Sequence, residues 1–428
     1  MSNQSQSQEP KPQERKTELL AQEAGVCDAL KQFAEFSPGP MNSPATVNSS
    51  GARVFFAPGR VNLIGEHTDY NGGYVLPAAL ELGTWLFVRQ RKDNRLRFAS
   101  TSFPKVVEVA TEPVAYSEAD EYANYPKGVI REFQKRGYTV PGLDVLLYGN
   151  LPNGAGLSSS ASVEVATAFM LNQLLGANLS GDELALLSQA AENQFVGVNC
   201  GIMDQFAVAM GQDEHALSLN CDTLAYDLVP LPTEGIRLVI TNTNKRRGLA
   251  DSKYNERRRE CEQALQQLQR VRPELKNLAQ VAGGEWRELE SSIDNPVLRK
   301  RARHVVLENE RTKQAVLVLS LGKVEEFGRL MNDSHKSLRD DYEVTGKELD
   351  ALVEAAWSVK GCIGSRMTGA GFGGCTVSLV RTNALEEFQT AVRQQYIEKI
   401  GYEPSFYVTK IGDGVREVTE EVLACQSW

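Results

Sequence analysis

Apolar positions recur at helical spacing over residues 19–36, and then the pattern stops. Residues 37–51 are rich in Pro, Ser and Asn and predict a loop. The apolar run at 53–57 predicts a strand. From there to about Gly211, strand-like runs alternate with helical ones. Residues 145–148 read as a strand and 158–175 as a helix, with Val163, Ala166, Met170 and Leu174 spaced along one face. A second block opens near Ala216. It has strand-like runs at 238–241 and 375–380, separated by long charged amphipathic stretches such as 251–271 and 344–359. No internal repeat is visible. This pattern predicts two α+β domains sharing a cleft, here bounded as 15–215 and 216–428 behind a polar, disordered tail at 1–14.

Composition narrows the picture. At about 150 residues per domain, the 428 residues suit two or three domains, and 42% apolar content is ample for their cores. With 46 basic and 55 acidic side chains the net charge is −9, which disfavours a nucleic-acid partner. Basic triplets at 245–247, 257–259 and 299–301 each lie close to acidic residues and read as solvated helix faces. Seven cysteines without a C-x-x-C pair argue against a disulfide framework and a structural zinc. The first fifteen residues are polar, and no apolar run approaches the ~18 residues a membrane span needs. The expectation is a cytoplasmic, reduced monomer with no membrane partner.

Three motifs and one acidic position carry candidate chemistry. Residues 58–73 follow a strand, are punctuated by glycines, and concentrate Arg60, Glu66, His67 and Asp69 within ten residues. Carboxylates and imidazole accept hydrogen bonds from several hydroxyls at once, as sugar recognition requires. A metal site and a self-capped polar turn are the alternatives. The chain has only four histidines and shows no second ligand cluster. Residues 151–162 bring Gly154, Gly156 and Ser158, Ser159 and Ser160 to a helix start. There, backbone N–H groups and the helix dipole favour an anion, and hydroxyls can bind phosphate or Mg²⁺. This is not a Walker A loop, because Gly-Lys-Ser/Thr is missing. Ordinary Ser capping of the helix is the other reading. Residues 368–375 hold a third glycine run, loosely G-x-G-x-x-G. A strand follows it instead of a helix, which rejects a nicotinamide-binding unit. It reads as a loop shaping the cleft or as a tight turn into a strand. Asp204 lies among apolar neighbours in 200–206, as a paired structural acid or a catalytic one.

Taken together, residues 59–70, 156–162, 200–206 and 365–375 resemble the GHMP kinase superfamily and, within it, the galactokinases, in the right order and over roughly 54–415. The resemblance implies that superfamily's two α+β domains with the active site between them. It also implies transfer of the γ-phosphate of ATP to the C1 hydroxyl of galactose, with Mg²⁺. The sugar site would comprise Glu66, His67, Thr68, Asp69, Gly201 and Tyr254. ATP phosphates would lie on Gly154, Ala155, Gly156, Leu157, Ser158, Ser159 and Ser160, with Ser160 and Glu192 holding Mg²⁺. Asp204 would be the general base, kept ionised by an adjacent Arg, and Arg60 would stabilise developing negative charge. Tyr122 stands where the family often carries Trp near adenine, and Ser100 would touch the nucleotide. A kinase for N-acetylgalactosamine and a non-catalytic sensor of galactose and ATP are the alternative functions. Retention of the serine loop, Glu192, Asp204 and Arg60 together argues against the sensor.

Overall fold

The structure, a computed structural model, describes residues 12–39, 51–152, 156–245 and 250–424. Among these, six strands form the first sheet, in the spatial order Arg416–Glu417, Arg53–Asn62, Pro77–Gln90, Leu143–Gly149, Arg95–Ser100, Val107–Ala110. Successive side chains on a strand face opposite sides, and here both sides are apolar. Phe55, Ala57, Leu86, Val88, Val145 and Leu147 pack under the helices Asn124–Lys135, Ser159–Leu175 and Gly181–Ala191. Val54, Phe56, Trp85, Phe87 and Leu146 pack against the helix Pro12–Phe36, through Val26, Leu30 and Phe33. Coverage on both faces explains why residues 145–148 read as an unbroken apolar run. Each such buried large side chain contributes about 1.5–3 kcal/mol.

The second sheet runs Cys362–Thr368, Cys375–Arg381, Ile236–Asn242, Ser405–Thr409. Val239 and Val380 face the helices Gly346–Ser358 and Leu385–Ile400. Leu238, Ile240, Val377 and Leu379 face the helices Pro296–Ser320 and Val324–Ser337. That second face continues into Val61, Leu63, Ile64, Leu76 and Leu80 of the first half, so the two halves share one apolar core. A three-stranded sheet of Tyr74–Val75, His215–Asn220 and Tyr226–Pro230 flanks the junction.

Three features depart from the sequence reading. The first helix begins at Pro12, inside the stretch read as tail, while residues 1–11 lie outside the described residues. The end of the chain returns to the first sheet: Arg416 and Glu417 pair with Phe56 and Phe55, and the Val418 N–H donates to the Val54 carbonyl at 2.8 Å. The first member of one basic triplet and the last member of another are not solvated. Arg257 is buried and donates to the Tyr342 and Glu343 carbonyls, while buried Arg301 donates to the Asp341 carbonyl and pairs with Glu260 and Glu343. A guanidinium carries five donors in a fork, which suits it to the loose carbonyls of the π-turn Leu338–Tyr342.

Candidate active site

A cleft of about 850 Å³ lies between the two halves, within the range of small-molecule sites. The first half lines it with Arg60, Glu66, His67, Asp69, Gly156, Leu157, Ser158, Ser159, Ser160, Glu192, Gly201 and Asp204. Tyr254, Arg258, Arg259, Gly369 and Ala370 approach from the second half.

Asp204 is the hub. It sits in the first turn of the helix Met203–Met210, near the positive end of the dipole. Arg60 grips it with a fork: Nε donates to Oδ1 at 2.9 Å and Nη2 to Oδ2 at 3.0 Å. Ser158 Oγ donates to Oδ2 at 2.6 Å. The carboxylate is still 28% exposed, so a ligand can reach it. Arg60 is aimed by a register shift between Pro58 and Arg60 in the strand Arg53–Asn62. Glycine is needed inside that shift, since a Cβ on Gly59 would lie 2.8 Å from the Leu157 carbonyl oxygen. Arg60 Nη1 also donates to the Gly156 carbonyl at 2.8 Å, tying Asp204 to the glycine-serine loop.

The loop carrying Glu66, His67 and Asp69 is held from behind. The helix Pro296–Ser320, started by the Asn295 cap and Pro296, supplies the supports. Glu308 accepts from Gly65 N–H at 3.0 Å, and Asn309 accepts from Tyr74 N–H at 2.8 Å. His304 Nε2 lies 3.0 Å from the Glu66 carbonyl, and Nδ1 lies 2.9 Å from Ser337 Oγ. A carbonyl only accepts, so Nε2 carries the proton and Nδ1 accepts from the serine. Burial lowers this imidazole to about 4, which keeps it neutral. Burial would raise Glu308, but Arg311, His304 and Arg366 hold it down to about 2.

On the cleft side, His67 has a left-handed backbone, φ 62°. Burial and the neighbouring His304 lower its pKa to about 3. Nδ1 shares a hydrogen bond with Tyr70 at 2.9 Å, while Nε2 is buried without a hydrogen-bond partner. Glu66 Oε1 accepts from Gly369 N–H at 3.0 Å, and Oε2 pairs with Arg366 Nη2 at 2.8 Å. Burial, then the charge of Asp204, pushes Asp69 up to about 7. Gly201 makes room for that group, since a Cβ there would meet Asp69 Oδ2 at 2.0 Å. Tyr254 closes this end, its ring 5.8 Å from His67.

At the other end, Ser158 precedes the helix Ser159–Leu175 with φ 61° and makes no side-chain cap bond. Its hydroxyl goes to Asp204 instead, which removes the ordinary capping reading. Glu192 opens a π-turn, Glu192–Val196, a feature frequent at functional sites. Its carboxylate accepts from Gln205 Nε2 at 2.6 Å and bonds the Ser160 hydroxyl. Burial and then Asp204 raise its pKa. The third glycine run does shape the cleft: a Cβ on Gly369, φ 85°, would press on the Gly156 carbonyl oxygen at 3.1 Å.

Several expected residues are not brought to the described cleft. Thr68 is fully buried, with Oγ1 on the Gly65 and Tyr74 carbonyls, where it braces the loop. Ser100 Oγ accepts from Ser102 N–H. Tyr122 is buried, its hydroxyl on the Phe98 and Lys105 carbonyls and its ring stacked on exposed Phe103. Gly154 and Ala155 lie outside the described residues.

Comparison with known proteins agrees with this geometry. Residues 124–212 match the GHMP kinases N terminal domain and 315–398 the GHMP kinases C terminal domain. Residues 45–90 match the galactokinase galactose-binding signature. The chain is 53% identical to the galactokinase of Clostridium beijerinckii over 368 residues, 85% of this chain and 94% of that one. It belongs to the galactokinase family. Members of that family are ATP-dependent sugar kinases, and this chain is one. A crystal structure of Lactococcus lactis galactokinase complexed with galactose superposes with a TM-score of 0.86 at 43% identity. It covers 91% of this chain and 99% of that one. Methanococcus jannaschii mevalonate kinase, 17% identical with a TM-score of 0.60 over 86% of this chain and 100% of its own, shares the fold.

Sequence reasoning missed two cations that line the cleft of this galactokinase-family site and one buried behind it. Arg258 and Arg259 line the cleft from the helix Ala250–Leu268, although the triplet read as solvated. Arg366, fully buried, lies beside Glu66. A lone charged residue in the short strand Cys362–Thr368 was the available signal.

Proposed function

We propose that this chain transfers the γ-phosphate of ATP to the C1 hydroxyl of galactose, giving galactose 1-phosphate and ADP, in the cytoplasm. The observation that carries this reading is the placement of Asp204. Its carboxylate is held by Arg60 and Ser158 at the meeting point of the sugar loop and the phosphate loop, and it remains reachable. Glu66 Oε2, paired with Arg366, and His67 Nε2, without a hydrogen-bond partner, belong to the cleft wall and suit hydroxyls that donate and accept. Neutral His67 and the acidic wall favour an uncharged polyol over an acidic substrate. Free thiols at Cys200, Cys221, Cys261 and Cys362 fit a reducing compartment.

In this reading Glu66, His67, Asp69 and Tyr254 orient the sugar. Asp204 takes the C1 hydroxyl proton as that oxygen bonds to the γ-phosphorus and the bond to the ADP oxygen breaks. Arg60 spreads positive charge over the site, and backbone N–H groups at the start of Ser159–Leu175 receive phosphate oxygens. Positioning and charge stabilisation are what phosphoryl transfer requires. Ser160 and Glu192 fit a Mg²⁺ ion. Their oxygens already touch, and Glu192 is raised by burial and by its proximity to Asp204, a strain that a cation would relieve. Bound there, Mg²⁺ would neutralise charge on the nucleotide phosphates.

A coupled ADP-release assay tests the reading with Mg·ATP and galactose, N-acetylgalactosamine, glucose and mevalonate side by side. Turnover with galactose is expected to exceed the others by orders of magnitude. A preference for N-acetylgalactosamine would move the substrate. Galactose binding without turnover on any of the four would overturn the catalytic assignment.

A further inference from the structure

Arg366 has no place in the chemistry above, yet it is the largest fully buried side chain of the described residues. It projects from the strand Cys362–Thr368 of the second half into the back of the sugar loop of the first. Nη1 donates to the Asn62 carbonyl at 2.8 Å. Nη2 forms an ion pair with Glu66 Oε2 at 2.8 Å, while Nε has no hydrogen-bond partner. Burying an ion pair with a guanidinium donor left idle is costly, and packed apolar side chains in its place are often neutral or stabilising. Stability alone therefore gives a poor account of it.

The surroundings show what it acts on. The same strand end supplies Gly369 N–H to Glu66 Oε1. Thr368 Oγ1 accepts from Asn62 N–H at 3.0 Å, locking the strand to the loop. With Oε1 taken and the carbonyl of Glu66 held by His304, Oε2 keeps a lone pair for a ligand beside its ion pair with Arg366. Glu66 lines the cleft, whereas Arg366 does not. Burial pushes the Glu66 carboxyl up, and Arg366 is the strongest group opposing that.

We infer that Arg366 is a positioning residue of the sugar site. It holds Glu66 as a fixed acceptor, with Oε2 offered to a sugar hydroxyl, so that sugar affinity depends on a side chain that never touches the sugar. This rests on the proposed function, and the test separates the two.

Arg366→Met, Arg366→Lys, Glu66→Gln and the double variant Glu66→Gln/Arg366→Met are assayed with Mg·ATP and galactose, with thermal melting as the fold control. Galactose KM is expected to rise at least tenfold in Arg366→Met. KM for ATP should stay within twofold, and Arg366→Lys should fall between Arg366→Met and the parent. The double variant should match Glu66→Gln alone, because the two act through one group. If Arg366→Met does not fold, the decision falls to the double variant, which buries no unpaired charge. A galactose KM in folded Arg366→Met within twofold of the parent would overturn the inference. So would a double variant at least tenfold worse than Glu66→Gln. Failure of the parent chain to phosphorylate galactose would instead sink the functional reading on which this one rests.

Discussion

The loop carrying Glu66, His67 and Asp69 is fastened to the protein from behind at Gly65, Glu66 and Tyr74, by Glu308, His304 and Asn309. The loop entering Ser159–Leu175 is fastened differently. Of its described serines, Ser158 donates to Asp204, Ser160 bonds Glu192, and Ser159 is exposed. The difference follows from what each end must recognise. A neutral sugar offers only hydroxyls, so discrimination needs acceptors fixed before it arrives. A triphosphate brings its own charge, and a dipole with open N–H groups can take it in without prior bonding.

Substitutions can break or sharpen this contrast. Asp204→Asn stands at the join, and turnover should fall about 10²–10⁴-fold. Calorimetric galactose binding should be retained, and near-normal turnover would remove Asp204 as the base. Gly201→Ala attacks the sugar end alone, because its methyl would occupy the place of Asp69 Oδ2. Misplacement of this kind costs on the order of 10–100-fold, here expected in galactose KM while KM for ATP holds. Ser158→Gly keeps the left-handed backbone and removes one hydrogen bond to a charge, so kcat should drop about tenfold with melting unchanged. The smallest effect is on stability. Asp69 titrates near 7 in the fold and near 3.8 in a free chain, so its contribution is full below 3.8 and lost as pH rises through 7. Asp69→Asn should therefore raise the melting temperature at about pH 8, with the advantage shrinking as pH falls towards 4.

Much of the scaffold was legible. The helical spacing of 158–175 and 251–271 appears as Ser159–Leu175 and Ala250–Leu268, and the runs at 238–241 and 375–380 lie in paired strands. Spacing reports local burial, and these elements bury one face or both. The motifs also fall in one cleft, which Arg60, Glu66, His67, Asp69 and Asp204 all line. What the sequence hid was long-range or conformational. Arg366 reaches a carbonyl 304 positions away, and nothing local marks that. The bond from Ser158 to Asp204 was hidden because composition cannot report a φ of 61°. Tyr122 and Thr68 looked like ligand contacts because a motif gives positions but not the side of the backbone on which each side chain falls.

The return of the chain end to the first sheet bears on the order in which the molecule is made. Arg53 meets Glu417, 364 positions later, in a two-pronged ion pair beside the Phe55–Glu417 register. At about 5–20 residues per second of synthesis, that strand waits roughly 20–70 s for its outer partner. During that time the outer backbone groups of Val54, Phe55 and Phe56 lack these partners, a short template that other chains can join. The strand that carries Arg60 into the cleft is thus closed at its outer edge by a segment made more than 350 residues later.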